Sequence, residues 1–277
     1  MRVRPLLLLL GSGFVVACAD APTAAVPTPR PVAVVHGQPD AERHPYVGLL
    51  IFDDAEGPAW ACSGSLLSPT VVLTASHCTD GAVAVRFWTD EVVEGNPEFP
   101  FSGTTSYDGV AYTNPDFCIG CGNGLPGFDI RDIGIVVLSE PVPTSVVSTY
   151  AQLPTAGLVE TLENKTAVDV VGYGVQEQVH GGGPPFWTGI WARYYAPTQL
   201  VSGSFVHSEE FIRLTANPGG GKGGTCFGDS GGPDILSGTS IVLAVNSYVT
   251  NGNCTGVTYS SRVDIPEVLC WIESFLV

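Results

Sequence analysis

Basic residues are scarce in this chain. Lys and Arg number 11 against 27 Asp and Glu, a formal net charge of −16. A surface so acidic repels phosphate backbones, which excludes nucleic-acid binding as the main activity. Only 14% of residues are charged while 44% are hydrophobic, so the chain can bury a core and is not a disordered polymer. Long apolar runs are missing beyond the first twenty residues, which leaves no candidate for a bilayer-spanning helix in the body of the chain. Histidine is sparse too, at five positions, and all five precede residue 230. Glycine (34) and proline (22) are plentiful, pointing to many turns.

The first 18 residues read as an export signal, with Arg2 and Arg4 followed by an apolar stretch from Leu6 to Ala17. Val15-Val16-Ala17-Cys18 resembles a bacterial lipobox, which would acylate Cys18 and anchor the protein to a membrane by that lipid alone. Ordinary cleavage after Ala17-Cys18-Ala19 or Ala19-Asp20-Ala21 is the alternative. Residues 19–33, with four prolines among small residues, form a tether or propeptide, so the folded part should span 34–277. Export makes disulfides the default for Cys62, Cys78, Cys118, Cys121, Cys226, Cys254 and Cys270. Their number is odd. Cys118-Ile119-Gly120-Cys121 could also be half of a zinc site, but no second pair completes it, and no metal or cofactor is expected.

Short runs rich in Val, Ile and aromatics, broken by Gly, Pro, Asn and Asp, read as strands. They are Tyr46–Phe52, Trp60–Leu67, Val71–Ala75, Val83–Trp88, Ile133–Leu138, Ala167–Tyr173, Glu210–Thr215 and Ile241–Tyr248. Many strands without helical periodicity between them indicate an all-β sandwich or barrel. One helix is expected at the C-terminus, where Asp264 and Glu267 form a D-x-x-E capping box around Pro266.

Gly228-Asp229-Ser230-Gly231-Gly232-Pro233 places a serine between glycines. Such a backbone can turn tightly and converge its amides on one point, as the oxyanion of an acyl transfer requires. The same residues satisfy G-x-S-x-G, the nucleophile elbow of α/β-hydrolases. That reading fails because it needs a helix after the serine and a histidine later in the chain. The order His, Asp, Ser works. Val71–Cys78 is an apolar strand that ends by presenting His77, and Cys78 can staple the turn to Cys62. Asp132 opens the buried run Ile133–Leu138; Asp129 is the rival acid. A buried Asp can hold the imidazole tautomer while the ring takes a serine proton.

The segments TASHC, DIGIVVL and TCFGDSGGP resemble the signatures of the chymotrypsin-like (trypsin fold) serine proteases, in their order, and the chain looks most similar to the bacterial secreted trypsin-like group. The resemblance covers 34–277. It implies two packed six-stranded antiparallel β-barrels with a C-terminal α-helix: the first at about 34–145, the second at about 146–263, the helix at about 264–276. It implies His77 as general base, Asp132 as its orienter, Ser230 as nucleophile, and an oxyanion hole at the N–H groups of Gly228 and Ser230. A Cys226–Cys254 disulfide would brace the substrate pocket, formed by Gly224, Thr225, Ser247, Tyr248, Val249 and Gly256. Gly224 stands where trypsins carry an acid and Val249 replaces a glycine, so small or medium apolar side chains are expected before the cut. Maturation would start the chain at Val34 and pair its ammonium with Asp229. The expected protein is a secreted or cell-envelope monomeric endopeptidase acting on polypeptides. A protease-fold lipoprotein that binds without cleaving, and a lipase or esterase, are the other readings.

His36, His44, His180 and His207 are expected in loops or at the surface, and Asp53, Asp54, Glu56 and the acids of 90–98 as solvated loop charges.

Overall fold

The computed structural model describes residues 34–122, 129–175, 177–179, 186–188, 191–201, 203 and 207–276. The export signal with Cys18, the tether 19–33, His180 and the side chain of Trp187 lie outside the described residues.

The strands β1 (Gln38–Pro39), β2 (Val47–Asp54), β3 (Gly57–Leu66) and β4 (Val71–Thr74) are followed by a one-turn helix α1 (Ser76–Thr79). Then come β5 (Ala84–Trp88), β6 (Ser106–Thr113) and β7 (Gly134–Leu138). The six strands from β2 to β7 close into an antiparallel barrel in the order β2-β3-β4-β7-β6-β5. Its centre is made by the runs that mark these strands: Leu49, Phe52, Val72, Leu73, Phe87, Trp88 and Ile135 are fully buried or nearly so. β4 reads Val-Val-Leu-Thr and is buried at every position, as suits a strand covered on both faces.

The second half contains β8 (Ala167–Gly172), β9 (Glu177–Val179), β10 (Phe186–Thr188), β11 (Tyr194–Gln199) and β12 (Phe211–Ala216). β13 (Pro233–Leu236), β14 (Val242–Val249) and β15 (Gly256–Arg262) complete it. β9 and β10 form a separate hairpin. The others, with β1, build one sheet in the order β1-β11-β8-β13-β14-β15-β12. A bridge from Leu200, one residue beyond β11, to Leu214 of β12 draws the ends of this sheet together. Val34, Val168, Val170, Ala196, Ile212, Leu214 and Ala244 share its apolar cluster. Helix α2 (Pro266–Glu273) buries Val268, Leu269 and Ile272. The all-β architecture with its closing helix is the one expected.

Several local expectations need correction. Residues 38–39 pair with Tyr194 and Tyr195, so the first residues of the folded part join the second sheet rather than the first barrel. The capping box does not form: Ile265 occupies the N-cap, and the Asp264 carboxylate accepts the Val159 N–H (2.7 Å) and the Arg262 guanidinium. A buried cation outcompetes a local cap. Cys118 and Cys121 are joined to each other, which removes both from any zinc site and leaves Cys270 as the free thiol among the described residues. His44 is buried, with its Nδ1 2.5 Å from Asp40 Oδ1. Asp53 of β2 is paired with Arg86 of the adjacent strand β5 rather than free in solvent.

Candidate active site

Apolar β4 ends at Thr74, and α1 turns His77 out of the barrel wall, leaving its side chain 28% exposed. Asp132 precedes β7. Arg131 adopts φ 53°, and the Ile133 N–H closes a tight turn onto the Arg131 carbonyl (2.7 Å), directing the carboxylate inward. There Asp132 is completely buried. Its Oδ1 accepts the His77 backbone N–H (2.8 Å), and its Oδ2 lies 2.7 Å from His77 Nδ1. The Ser247 hydroxyl donates to the same Oδ2 (2.6 Å). A carboxylate surrounded by three donors fixes one ring orientation, with the proton on Nδ1 and Nε2 left as the basic atom.

Burial opposes charge on both partners, yet each favours the other's charged form more strongly. His77 is raised above the ordinary imidazole value of 6.5, with Asp129 adding to the pull of Asp132. Asp132 is held below the usual carboxylate range by His77 and by the Ser247 hydroxyl.

Ser230 comes from the turn between Cys226 and β13. Gly228 has φ +93°, and a Cβ there would fall 2.9 Å from Gly174 Cα, so only glycine fits. The turn is clamped to the first barrel: the Ser63 N–H donates to the Ser230 carbonyl (2.8 Å), and the Ser63 hydroxyl donates to the Gly228 carbonyl (3.0 Å). Gly231 packs so closely on the segment leading to His77 that a Cβ on it would lie 2.8 Å from Ala75 N. Among the described residues, the amides of Gly228 and Ser230 have no hydrogen-bond acceptor. They are available to an outside oxygen.

A cleft of roughly 200 Å³ adjoins Ser230. Thr225, Ser247, Tyr248 and Val249 line it, together with Cys226, Phe227 and Asn246. The Cys226–Cys254 disulfide stands behind it, and Cys62–Cys78 staples the histidine turn. Gly224 and Gly256 are not in the lining. Gly224 is buried, its N–H donating to the Val35 carbonyl (3.1 Å), and Gly256 is exposed as the first residue of β15.

Val34 is fully buried in the second sheet's apolar cluster, with φ 48°. Asp229 is also fully buried. Its Oδ1 accepts the Gly174 N–H and its Oδ2 the Cys226 N–H, both at 2.8 Å. No cation reaches it among the described residues, and burial pushes its carboxyl up to about 7 despite the two amides. Of the described His, Cys, Asp and Glu side chains, Cys62, His77 and Cys78 lie close enough together to share an ion. Both sulfurs are spent in a disulfide, so that set does not fit a metal.

Three partners escaped sequence reasoning: Ser63 as the clamp on the serine turn, Ser247 as a donor to Asp132, and the buried Arg193. Arg193 donates to Asp40 (3.0 Å), the Val47 carbonyl (2.9 Å) and the Tyr173 hydroxyl (3.3 Å). A serine in a strand carries no local signal of such a bond. A lone arginine among apolar residues is the one hint that could have been followed.

The family model described as Trypsin matches residues 34–272. Brachyurin from Leptuca pugilator is 28% identical over 233 residues, covering 83% of this chain and 92% of that protein. Human chymotrypsin-like elastase family member 3A is 26% identical over 301 residues, covering 97% of each. The solved structure of HL collagenase superposes with a TM-score of 0.63 at 20% identity, covering 84% of this chain and 94% of that one.

Proposed function

The chain belongs to the trypsin family, a family of serine proteases, and from that premise we propose that it is an exported serine endopeptidase working through His77, Asp132 and Ser230. The observation that carries this reading is the buried Asp132 carboxylate, which holds His77 by ring and backbone while Ser247 ties it to the wall of the cleft containing Ser230. In the reaction, His77 Nε2 removes the Ser230 proton as Oγ attacks the scissile carbonyl. Asp132 stabilises the imidazolium, and the Gly228 and Ser230 amides receive the oxyanion. His77 then returns the proton to the leaving amine, and a water activated in the same way hydrolyses the acyl-enzyme.

The cleft supports a preference for small or medium apolar side chains, because Val249 narrows it and no carboxylate lines it to pair with a basic residue. Disulfides at Cys62–Cys78 and Cys226–Cys254 support export to an oxidising compartment. Maturation by hydrolysis before Val34 is supported by backbone conformation. A β-branched residue at φ 48° costs on the order of 1–3 kcal/mol. Cutting the Ala33–Val34 bond removes the preceding carbonyl that makes this φ unfavourable.

The test is covalent labelling by a fluorophosphonate. The mature protein should be labelled at Ser230, and Ser230→Ala should abolish labelling and peptide hydrolysis together. A folded mature protein that takes no label is a non-catalytic relative.

A further inference from the structure

Asp234 is a carboxylate for which the reaction has no use. On β13 it stands opposite Val170 of β8 and Ala244 of β14, facing the inside of the second sheet. It is fully excluded from solvent, and neither oxygen accepts a hydrogen bond of good geometry among the described residues, the Ser260 hydroxyl being a nearby weak donor. Asn246, two residues beyond Ala244 on the same strand, leaves its buried Nδ2 without an acceptor. Buried groups are seldom left so.

The other buried acid here is Asp229. A Cβ on Gly172, two residues along β8 from Val170, would fall 2.3 Å from Asp229 Oδ1. Both Asp229 oxygens already hold a backbone amide. Val34 shares one apolar cluster with Val170 and Ala244, the two residues that flank Asp234.

We propose that Asp234 is a second receptor for the amino terminus freed at Val34, accepting from the same ammonium as Asp229 and so helping to position the turn that carries Gly228 and Ser230. This rests on the reading that maturation cuts before Val34. Hydrolysis there consumes one water and leaves a carboxylate on Ala33 and an ammonium on Val34. An ammonium has three donors, more than the partly engaged Asp229 oxygens can absorb. Asp234 is a positioning residue, since it touches no substrate.

Among the described residues, the neighbouring charges are engaged elsewhere or face away from Asp234. Arg262 of β15, in register with Ala244, is spent on Asp264 and Glu160. Asp169 of β8 is in register with Ile235 and points to the opposite face. Arg193, beside β11, is held by Asp40. Before cleavage two carboxyls therefore share this interior without a cation among the described residues; burial, opposed by a hydrogen bond from the Ser260 hydroxyl and reinforced by the weaker repulsion of Asp229, pushes Asp234 up to about 8. Asp234 should destabilise the uncleaved chain at alkaline pH and stabilise the cleaved one.

The experiment compares the mature protein and the uncleaved chain, each as wild type, Asp234→Asn, Asp234→Leu and Asp229→Asn, after the mature N-terminus has been determined. Two quantities are read near pH 8: the rate at which cyanate carbamylates the α-amine, and the thermal midpoint. Carbamylation of the mature protein should quicken about tenfold for a one-unit fall in the amine pKa, with Leu faster than Asn. The midpoint should rise in the uncleaved variants and fall in the cleaved ones. A structural carboxyl would shift both midpoints in one direction and leave the amine rate unchanged. That result, with Asp229→Asn still accelerating carbamylation, overturns the role of Asp234 alone. A mature start elsewhere than Val34, or no response to Asp229→Asn, overturns the activation reading and this inference with it. If one Asp234 variant does not fold, the other gives the same comparison.

Discussion

Replacing Asp132 by Asn changes one atom at the centre of the site. The carboxylate accepts from the His77 backbone N–H, from the His77 ring and from Ser247, at 2.8, 2.7 and 2.6 Å. All three partners donate, which only a carboxylate satisfies. Asparagine offers one accepting oxygen and one donating amide. With its oxygen on the backbone N–H, the amide nitrogen confronts ring and Ser247; with the reverse rotamer it confronts the backbone. The ring escapes the first clash by moving its proton to Nε2, the atom that must take the Ser230 proton. The expected loss is about 10⁴-fold in kcat, or ~5.5 kcal/mol of transition-state stabilisation. Hydrolysis of a chromogenic peptide anilide measures it, with near-UV circular dichroism to verify folding. Asp129→Asn is the matched control. Asp129 acts on His77 only through space, with its Oδ1 engaged by the Gly120 N–H (2.8 Å), and its loss should cost no more than a few-fold. A folded Asp132→Asn within about tenfold of wild type, or an Asp129→Asn that falls equally far, would refute the assignment.

Other outcomes follow from the same geometry. The base must be neutral, and His77 is raised, so kcat/KM should climb with pH through a midpoint above 6.5, and Asp129→Asn should lower that midpoint; a pH–rate profile turning below 6.5 in the wild type contradicts the geometry. Val249→Gly should open the cleft and shift preference toward larger apolar side chains by roughly 10–100-fold, read by competition between peptides that differ at the cleaved position. Arg193→Met strips the buried Asp40 of its guanidinium and should cost about 3–5 kcal/mol in urea unfolding. Removing both Cys226 and Cys254 opens a link with a sequence separation of 28 and should cost about 3–4 kcal/mol by chain entropy, seen as a lower Tm.

Much of the site was legible because its chemistry is written in contiguous segments. His77 follows an apolar strand, Asp132 opens one, and Ser230 sits among glycines whose spacing has a steric meaning at Gly228. The strands were legible for a related reason, since runs such as Val71–Thr74 and Gly134–Leu138 have no stable alternative to a pleated, buried conformation. Reading faltered where a residue had local and distant partners to choose from. Asp264 has the right place and neighbours for a helix cap, but a cap is worth about 1 kcal/mol, less than a buried guanidinium is worth to a carboxylate. Asp53 looked like a loop charge until Arg86, 33 positions on, was brought beside it.

Sequence alone determined the residue types, their order along the chain and the strand-forming runs, all of which depend on neighbours a few positions away. Tertiary structure alone decided which distant groups meet. Asp132 receives Ser247 from 115 positions on, and the serine turn is clamped by Ser63 from 165 positions back. The same packing encloses Asp234 beside Asp229 with no cation in reach among the described residues. Hydrogen bonds and desolvation act through space over a few ångströms, and the spacing of residues along a chain does not encode such distances until the sheets have closed.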